Sequence, residues 1–150
     1  MEIKTEGHFS AAHVVDGKTK CNRLHGHNWV VKVTINGEIN PDTGMVEDFI
    51  GIKDIIDQLD HKTLISERQI VDPVDSESIV HFIKAGGRDY MLPKDVCMIL
   101  PISFVTAEYL SQMIAELIYK KIDSALVFRV KVTVLESERS EATFTVHSQL

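Results

Sequence analysis

The sequence predicts an α+β fold: a four-stranded antiparallel sheet with two helices on one face and an inserted hairpin. Two strand-patterned segments open the chain and two close it. Between them lie two stretches with apolar residues at helical spacing, separated by a Gly86-Gly87 hairpin signal. Strands joined by short turns pair antiparallel, and helices cover the apolar face of such a sheet.

Residues 2–14 alternate. Ile3, Thr5, Phe9, Ala11 and His13 share one face, and Glu2, Lys4, Glu6, His8 and Ser10 the other. Residues 15–24 are polar and read as a loop. Residues 25–38 form the second strand, with His25, His27, Trp29, Val31, Val33 and Ile35 on one face. Asn40-Pro41-Asp42-Thr43-Gly44 is a turn. Asp48 caps a helix whose stripe is Phe49, Ile52, Ile55, Ile56 and Leu59, ending near Leu59-Asp60-His61.

Residues 66–77 read as polar loop. Ile79–Ile83 and Asp89–Leu92 flank the two glycines as a hairpin, with His81 a structural residue inside it. Cys97–Leu100 adds a short strand. Thr106 is the expected N-cap of a second helix, striped by Leu110, Met113, Ile114, Leu117 and Ile118, with Lys121 snorkelling at its edge. The last strands span about 126–136 and 142–148. In the first, Leu126, Phe128, Val130, Val132 and Val134 share a face, and Glu136 follows in the same register.

The 150 residues suffice for one domain, 1–150, with its own core. A net charge of -6 without a basic block argues against nucleic acid as a partner. No apolar run is long enough for a membrane helix. The opening Met1-Glu2-Ile3-Lys4 lacks a signal-peptide pattern, so a cytoplasmic protein is expected. Cys97, within Val96-Cys97-Met98-Ile99-Leu100, reads as a buried apolar residue, and a disulfide to Cys21 is not expected in a reducing compartment.

The chemistry concentrates in Cys21-Asn22-Arg23-Leu24-His25-Gly26-His27. His25 and His27, two apart on a strand, face the same way. His13 ends the first strand on its core face and can join them if the strands pair. Three histidines with an open fourth position are the pattern of a catalytic zinc site. Cys21 could be a fourth ligand or a reactive thiolate beside a cation. Asp60-His61 could be an oriented acid/base pair or a helix C-terminus with a favourable histidine. Glu136, ending an apolar row, is costly unless it is paired or binds something polar; otherwise the strand end has frayed and it points to water.

The chain resembles the 6-pyruvoyl-tetrahydropterin synthase family, and within it the 6-carboxy-tetrahydropterin synthase branch of the queuosine pathway. The matching motifs are Phe9-Ser10-Ala11-Ala12-His13, Cys21 to His27, Asp42-Thr43-Gly44-Met45-Val46-Glu47-Asp48-Phe49, Leu59-Asp60-His61-Lys62, Thr106-Ala107-Glu108 and Val134-Leu135-Glu136. They occur in the family's order and span most of the chain. The resemblance implies a T-fold, assembled as trimers stacked into homohexamers with active sites between subunits. It implies zinc on His13, His25 and His27, Cys21 as catalytic base, and Asp60 and His61 as a proton relay. It gives the pterin to Glu136, with Thr106 and Glu108 lining its pocket.

The implied substrate is 7,8-dihydroneopterin triphosphate. The carboxy branch releases triphosphate and acetaldehyde; the pyruvoyl branch is the alternative. Lys18, Lys20 and Arg23 are candidates to meet the triphosphate. Two features depart from the family: Val105 stands where proline is usual, and the segment from about 70 to 103 is longer than in the shortest members. Both bear on the pocket rim. The Cys21–His25 spacing matches the carboxy branch. A zinc-containing pterin-binding protein without turnover would need neither Cys21 nor Asp60-His61, and a zinc hydrolase would need no cysteine.

Overall fold

A computed structural model describes residues 1–72 and 77–148. The chain runs β1 (Glu2–His13), β2 (His25–Gly37), α1 (Phe49–Asp57), β3 (Lys62–Ser66), β4 (Val80–Ala85), β5 (Arg88–Pro93), β6 (Cys97–Leu100), α2 (Ala107–Ile122), β7 (Val127–Ser137) and β8 (Ser140–His147). Among the described residues the main sheet has six strands, in the order β6-β3-β1-β2-β7-β8, and β4-β5 form a separate pair.

The expected four strands are the antiparallel part, β1, β2, β7 and β8; the expected count falls short by the two parallel strands β3 and β6. The reason lies in burial. Leu64, Ile65 and Ser66 are all buried in succession, so β3 has no alternation by which a strand is recognised. The short strand expected over Cys97–Leu100 is β6, which pairs with β3. The predicted loop 66–77 contains instead the end of β3 and a 3-10 turn over Glu67–Gln69, closed by a Ser66–Gln69 capping box; its residues 73–76 lie outside the described residues.

Both helices pack on one face of the sheet. Asp48 caps α1 by accepting from the Ile50 amide at 2.9 Å. Ile52 and Ile56 are buried, whereas Phe49 is 37% exposed, so the stripe is narrower than its spacing suggests. The seat of α1 on β1 depends on Gly7: a Cβ there would lie 2.9 Å from Ile56 Cδ1. In α2, Leu110, Met113, Ile114 and Ile118 are buried and Leu117 is exposed. Thr106 holds the N-cap position without a side-chain cap bond. Trp29 and Phe9 stack in the centre of the core, with ring centroids 5.8 Å apart, and the buried indole donates to the Ala11 carbonyl.

One face assignment in β7 fails at its start. Val127 is buried and Phe128 exposed, because the pairing with β2 shifts between Asn36 and Gly37. One extra residue at this bulge exchanges the faces. From Val130 onward the predicted inward row holds.

The β4–β5 hairpin turns at Gly86 and Gly87, both with positive φ, as a two-residue turn demands. Ile83 and Ala85 bury against Val14 and Ile65, forming a second, smaller apolar cluster.

Candidate functional site

Antiparallel pairing sets His13 directly across from His25, and Ala11 across from His27. The three imidazoles gather at the end of β1–β2, with ring centroids 4.5, 5.2 and 4.9 Å apart. The edge-on contacts of Trp29 with His13 and His27, at 5.1 and 5.2 Å, back two of the rings.

Backbone carbonyls fix two of the tautomers. Nδ1 of His13 lies 2.7 Å from the Val105 carbonyl, and Nδ1 of His25 lies 2.7 Å from the Arg23 carbonyl. A carbonyl only accepts, so each Nδ1 carries a hydrogen, and in a neutral ring that leaves Nε2 with a lone pair. Those two Nε2 atoms are 3.1 Å apart. Two lone pairs at that distance repel unless a proton or a cation comes between them. The Nε2 of His27 is buried with no hydrogen-bond partner among the described residues; Glu136 Oε1 lies 3.2 Å from it, without hydrogen-bond geometry.

Glu136 completes the group. Its Oε1 is 3.5 Å from His13 Nε2, and ligand atoms of His13, His25, His27 and Glu136 all lie within 4.8 Å of one another. A second register shift, between Leu135 and Ser137, falls at this residue. The strand end is therefore not frayed into water: the carboxylate is half-buried and turned to the histidines. Sequence reasoning missed this neighbourhood. The available signal was the row Val130, Val132, Val134, Glu136, which continues on β7 beside the strand that carries His27.

Burial, above all, holds His13 down to about 4, with the other two imidazoles adding to it and the Val105 carbonyl opposing. Burial also lowers His27, against the opposing pull of Glu136. Three converging imidazoles, one with an orphaned buried nitrogen, and a nearby carboxylate are a donor set that fits a divalent cation.

Asp60 and His61 follow α1 and are pinned to β1. Asp60 Oδ1 accepts from the Ser10 amide at 2.7 Å, and the His61 amide donates to the Ser10 carbonyl at 2.8 Å. The second carboxylate oxygen lies 2.7 Å from His61 Nδ1. The Ser10 amide first, then His61, holds the Asp60 carboxyl below its ordinary range. His61 sits at φ 57° with its side chain 84% exposed. An open cleft of about 470 Å³ runs from His61 past Ser10 and Asn28 to His27.

Cys21 lies outside the four-residue metal group, half-buried in a 3-10 turn over Lys20–Asn22. Thr106 follows Val105, whose carbonyl orients His13. Glu108, in the first turn of α2, lines a cleft of about 190 Å³ with Ser111, Ala142 and Phe144. The structure thus gathers His13, His25, His27 and Glu136, and joins His61 to His27 along one cleft. Glu108 lines a different cleft, and Cys21 lies on the loop that leads into His25.

The 6-pyruvoyl tetrahydropterin synthase family model matches residues 2–147. The chain belongs to this family. A Pyrococcus horikoshii protein provisionally named 6-carboxy-5,6,7,8-tetrahydropterin synthase is 32% identical over 145 residues, covering 94% of this chain and 88% of that protein. The 6-carboxy-5,6,7,8-tetrahydropterin synthase of Aquifex aeolicus is 29% identical over 134 residues, covering 83% and 75%. In structure, the 6-pyruvoyl tetrahydropterin synthase of Plasmodium vivax superposes with a TM-score of 0.80 at 27% identity, covering 99% of this chain and 98% of that one. The sheet with its two helices is the family's T-fold. No described helix is long and apolar enough to cross a membrane.

Proposed function

We propose that the protein is a zinc-dependent lyase converting 7,8-dihydroneopterin triphosphate and one water to 6-carboxy-5,6,7,8-tetrahydropterin, with release of triphosphate and acetaldehyde. The observation that carries this reading is the pair of carbonyl-fixed imidazoles whose Nε2 atoms meet at 3.1 Å beside an orphaned third. The names of the curated relatives favour the carboxy product.

His13, His25 and His27 would hold the zinc, leaving the Glu136 carboxylate beside them for the pterin. Bound zinc supplies Lewis-acid polarisation of the substrate's side-chain hydroxyls. Cys21 takes a proton from the side-chain carbon. Asp60 accepts the Nδ1–H of His61, a residue that lines the open cleft, and Nε2 is left to receive and return protons. Ser10 holds Asp60 so that this orientation persists. The Glu136 carboxylate can accept paired N–H bonds from the pterin's 2-aminopyrimidinone edge, with Thr106 lining its pocket and Glu108, in its separate cleft, lining that of a neighbouring subunit. Lys18, Lys20 and Arg23 stand ready for the triphosphate.

Residues 1–150 act in this reading as one cytoplasmic domain, without nucleic-acid or membrane partners. The strands β6 and β8, outermost in the sheet among the described residues, support assembly into a homohexamer, a dimer of trimers, in which one subunit's Asp60-His61 serves another's Cys21.

Likeness over nearly the whole chain to a 6-pyruvoyl tetrahydropterin synthase favours a second reading, that enzyme's product. Mass spectrometry after incubation with dihydroneopterin triphosphate and zinc separates the two. A 6-carboxy product with acetaldehyde supports the first, and a 6-pyruvoyl product supports the second. Binding without turnover makes it a pterin-binding protein, and hydrolysis of the triphosphate alone a zinc hydrolase; either sinks both lyase readings.

A further inference from the structure

We propose that the β4–β5 hairpin is a clamp on the loop carrying Cys21, with Gly86, Arg88 and Asp16 as positioning residues for the thiol. This rests on the reading of Cys21 as the base, and it assigns a task to the inserted segment.

The loop from Val14 to Leu24 folds upon itself. The Val15 amide donates to the Cys21 carbonyl at 3.0 Å, and the Asn22 side chain donates to the Gly17 carbonyl at 3.1 Å. Thr19 caps the turn by accepting from the Cys21 amide at 3.3 Å. These bonds give the loop a shape but do not attach it to the body of the protein.

The attachment comes from the hairpin tip and from Gln69. Arg88 Nη1 donates to the backbone carbonyl of Asn22 at 3.1 Å and to its side-chain oxygen at 3.3 Å, and also to Gly86's own carbonyl at 3.0 Å. The Gly86 amide donates to Asp16 Oδ1 at 2.6 Å. The other Asp16 oxygen accepts from Gln69 Nε2 at 3.2 Å, and that same amide nitrogen donates to the Val14 carbonyl at 3.0 Å. Gln69 is itself buried and tied to the Ser66 amide at the end of β3. The loop is thus gripped at Asp16 and at Asn22, on both sides of Cys21, and Asn22 is the residue next to the thiol.

Steric fit enforces the grip. Gly86 packs so closely that a Cβ on it would overlap the Asn22 carbonyl oxygen, and its φ of 57° is one that other residues rarely adopt. Below the tip, Ile83 and Ala85 are buried against Val14 and Ile65, and Ile70 bridges to Ile83. The hairpin is seated by apolar burial on the residue that follows His13, so the thiol loop and the first histidine share one support. Misplacing a catalytic group by about 1 Å can lower a rate by about a hundredfold, which is the scale on which such a clamp acts.

The two thiols of the chain make a direct test. Zinc-loaded wild type, Arg88→Ala, Arg88→Lys and Gly86→Ala are treated with iodoacetamide, and the alkylation rates of Cys21 and Cys97 are read by peptide mass spectrometry. Cys97, on β6, packs against the apolar cluster that seats the hairpin and so reports whether that seat holds; burial raises its thiol. Arg88 is exposed, so Arg88→Ala leaves the core intact even if Gly86→Ala fails to fold. A clamp predicts that alkylation of Cys21 in Arg88→Ala quickens by about threefold or more through local opening, with Cys97 unchanged. Turnover should fall about tenfold in kcat with little change in KM, and Arg88→Lys should recover part of both. Unchanged alkylation of Cys21 in Arg88→Ala overturns the clamp, and so does a parallel rise at both thiols, which reports general loosening. Faster alkylation of Cys21 with undiminished turnover upholds the clamp and instead removes Cys21 from the role of base.

Discussion

Replacing Asp60 by Asn isolates the proton relay from everything around it. The carboxylate makes two bonds, accepting from the Ser10 amide through Oδ1 and from His61 Nδ1 through Oδ2, each at 2.7 Å. Asparagine keeps the shape and one acceptor. With its oxygen toward Ser10, the amide NH₂ faces His61 Nδ1, which must then become an acceptor. The imidazole hydrogen moves to Nε2, which can then donate but no longer receive. Losing a general acid–base group costs about two to four powers of ten in rate, so kcat should fall by a factor in that range. Metal content and melting temperature should stay near wild type, because the bond to Ser10 survives and the histidine cluster is untouched. Steady-state kinetics, metal analysis and thermal unfolding on one preparation give all three readings. Wild-type kcat in Asp60→Asn would refute the relay and return Asp60-His61 to a capping role at the end of α1.

Further outcomes are expected. Purified protein should carry close to one zinc per chain and His25→Ala should lose it; full occupancy in a variant lacking all three histidines would place the metal elsewhere. Cys21→Ala should lower kcat by about two to four powers of ten while retaining zinc; loss of zinc would make the thiol a ligand. Metal-free protein should lose stability on acidification. His13 is held to about 4 in the folded chain against an ordinary 6.5, so the unfolded chain takes up the proton first. The stabilisation is full above pH 6.5 and falls as pH drops toward 4, by on the order of 3 kcal/mol; flat urea midpoints across that window would contradict it. Gly7→Ala should destabilise by about 1–3 kcal/mol through overpacking against Ile56, read as a lower denaturation midpoint.

The histidine cluster was legible because it obeys a local rule. Alternation places His13, His25 and His27 on the inward faces of two strands, and antiparallel pairing then brings them together. Elements without a period were not legible. Leu64, Ile65 and Ser66 are buried in succession, so β3 shows no alternation. Phe128 breaks the register of β7 because of a bulge that depends on the partner strand, which a single segment does not reveal. Glu136 was marked as an out-of-place carboxylate, yet its neighbours come from strands more than a hundred residues away in sequence. The carbonyls that fix the imidazoles, from Val105 and Arg23, belong to the backbone and leave no trace in residue type.

Hairpin tips are ordinarily where a protein accepts insertions, affinity tags and drift between relatives, because nothing leans on them. The Gly86–Gly87 tip is different, since its amide and the adjoining arginine end on Asp16 and Asn22, 70 and 66 residues earlier. A lengthened tip would lose its hold on that loop, and a lengthened loop would meet the tip. Change in either segment therefore has to be matched in the other, and across relatives the two should vary in length together. For anyone grafting a reporter onto this scaffold, the Gly86–Gly87 turn is the wrong place to put it.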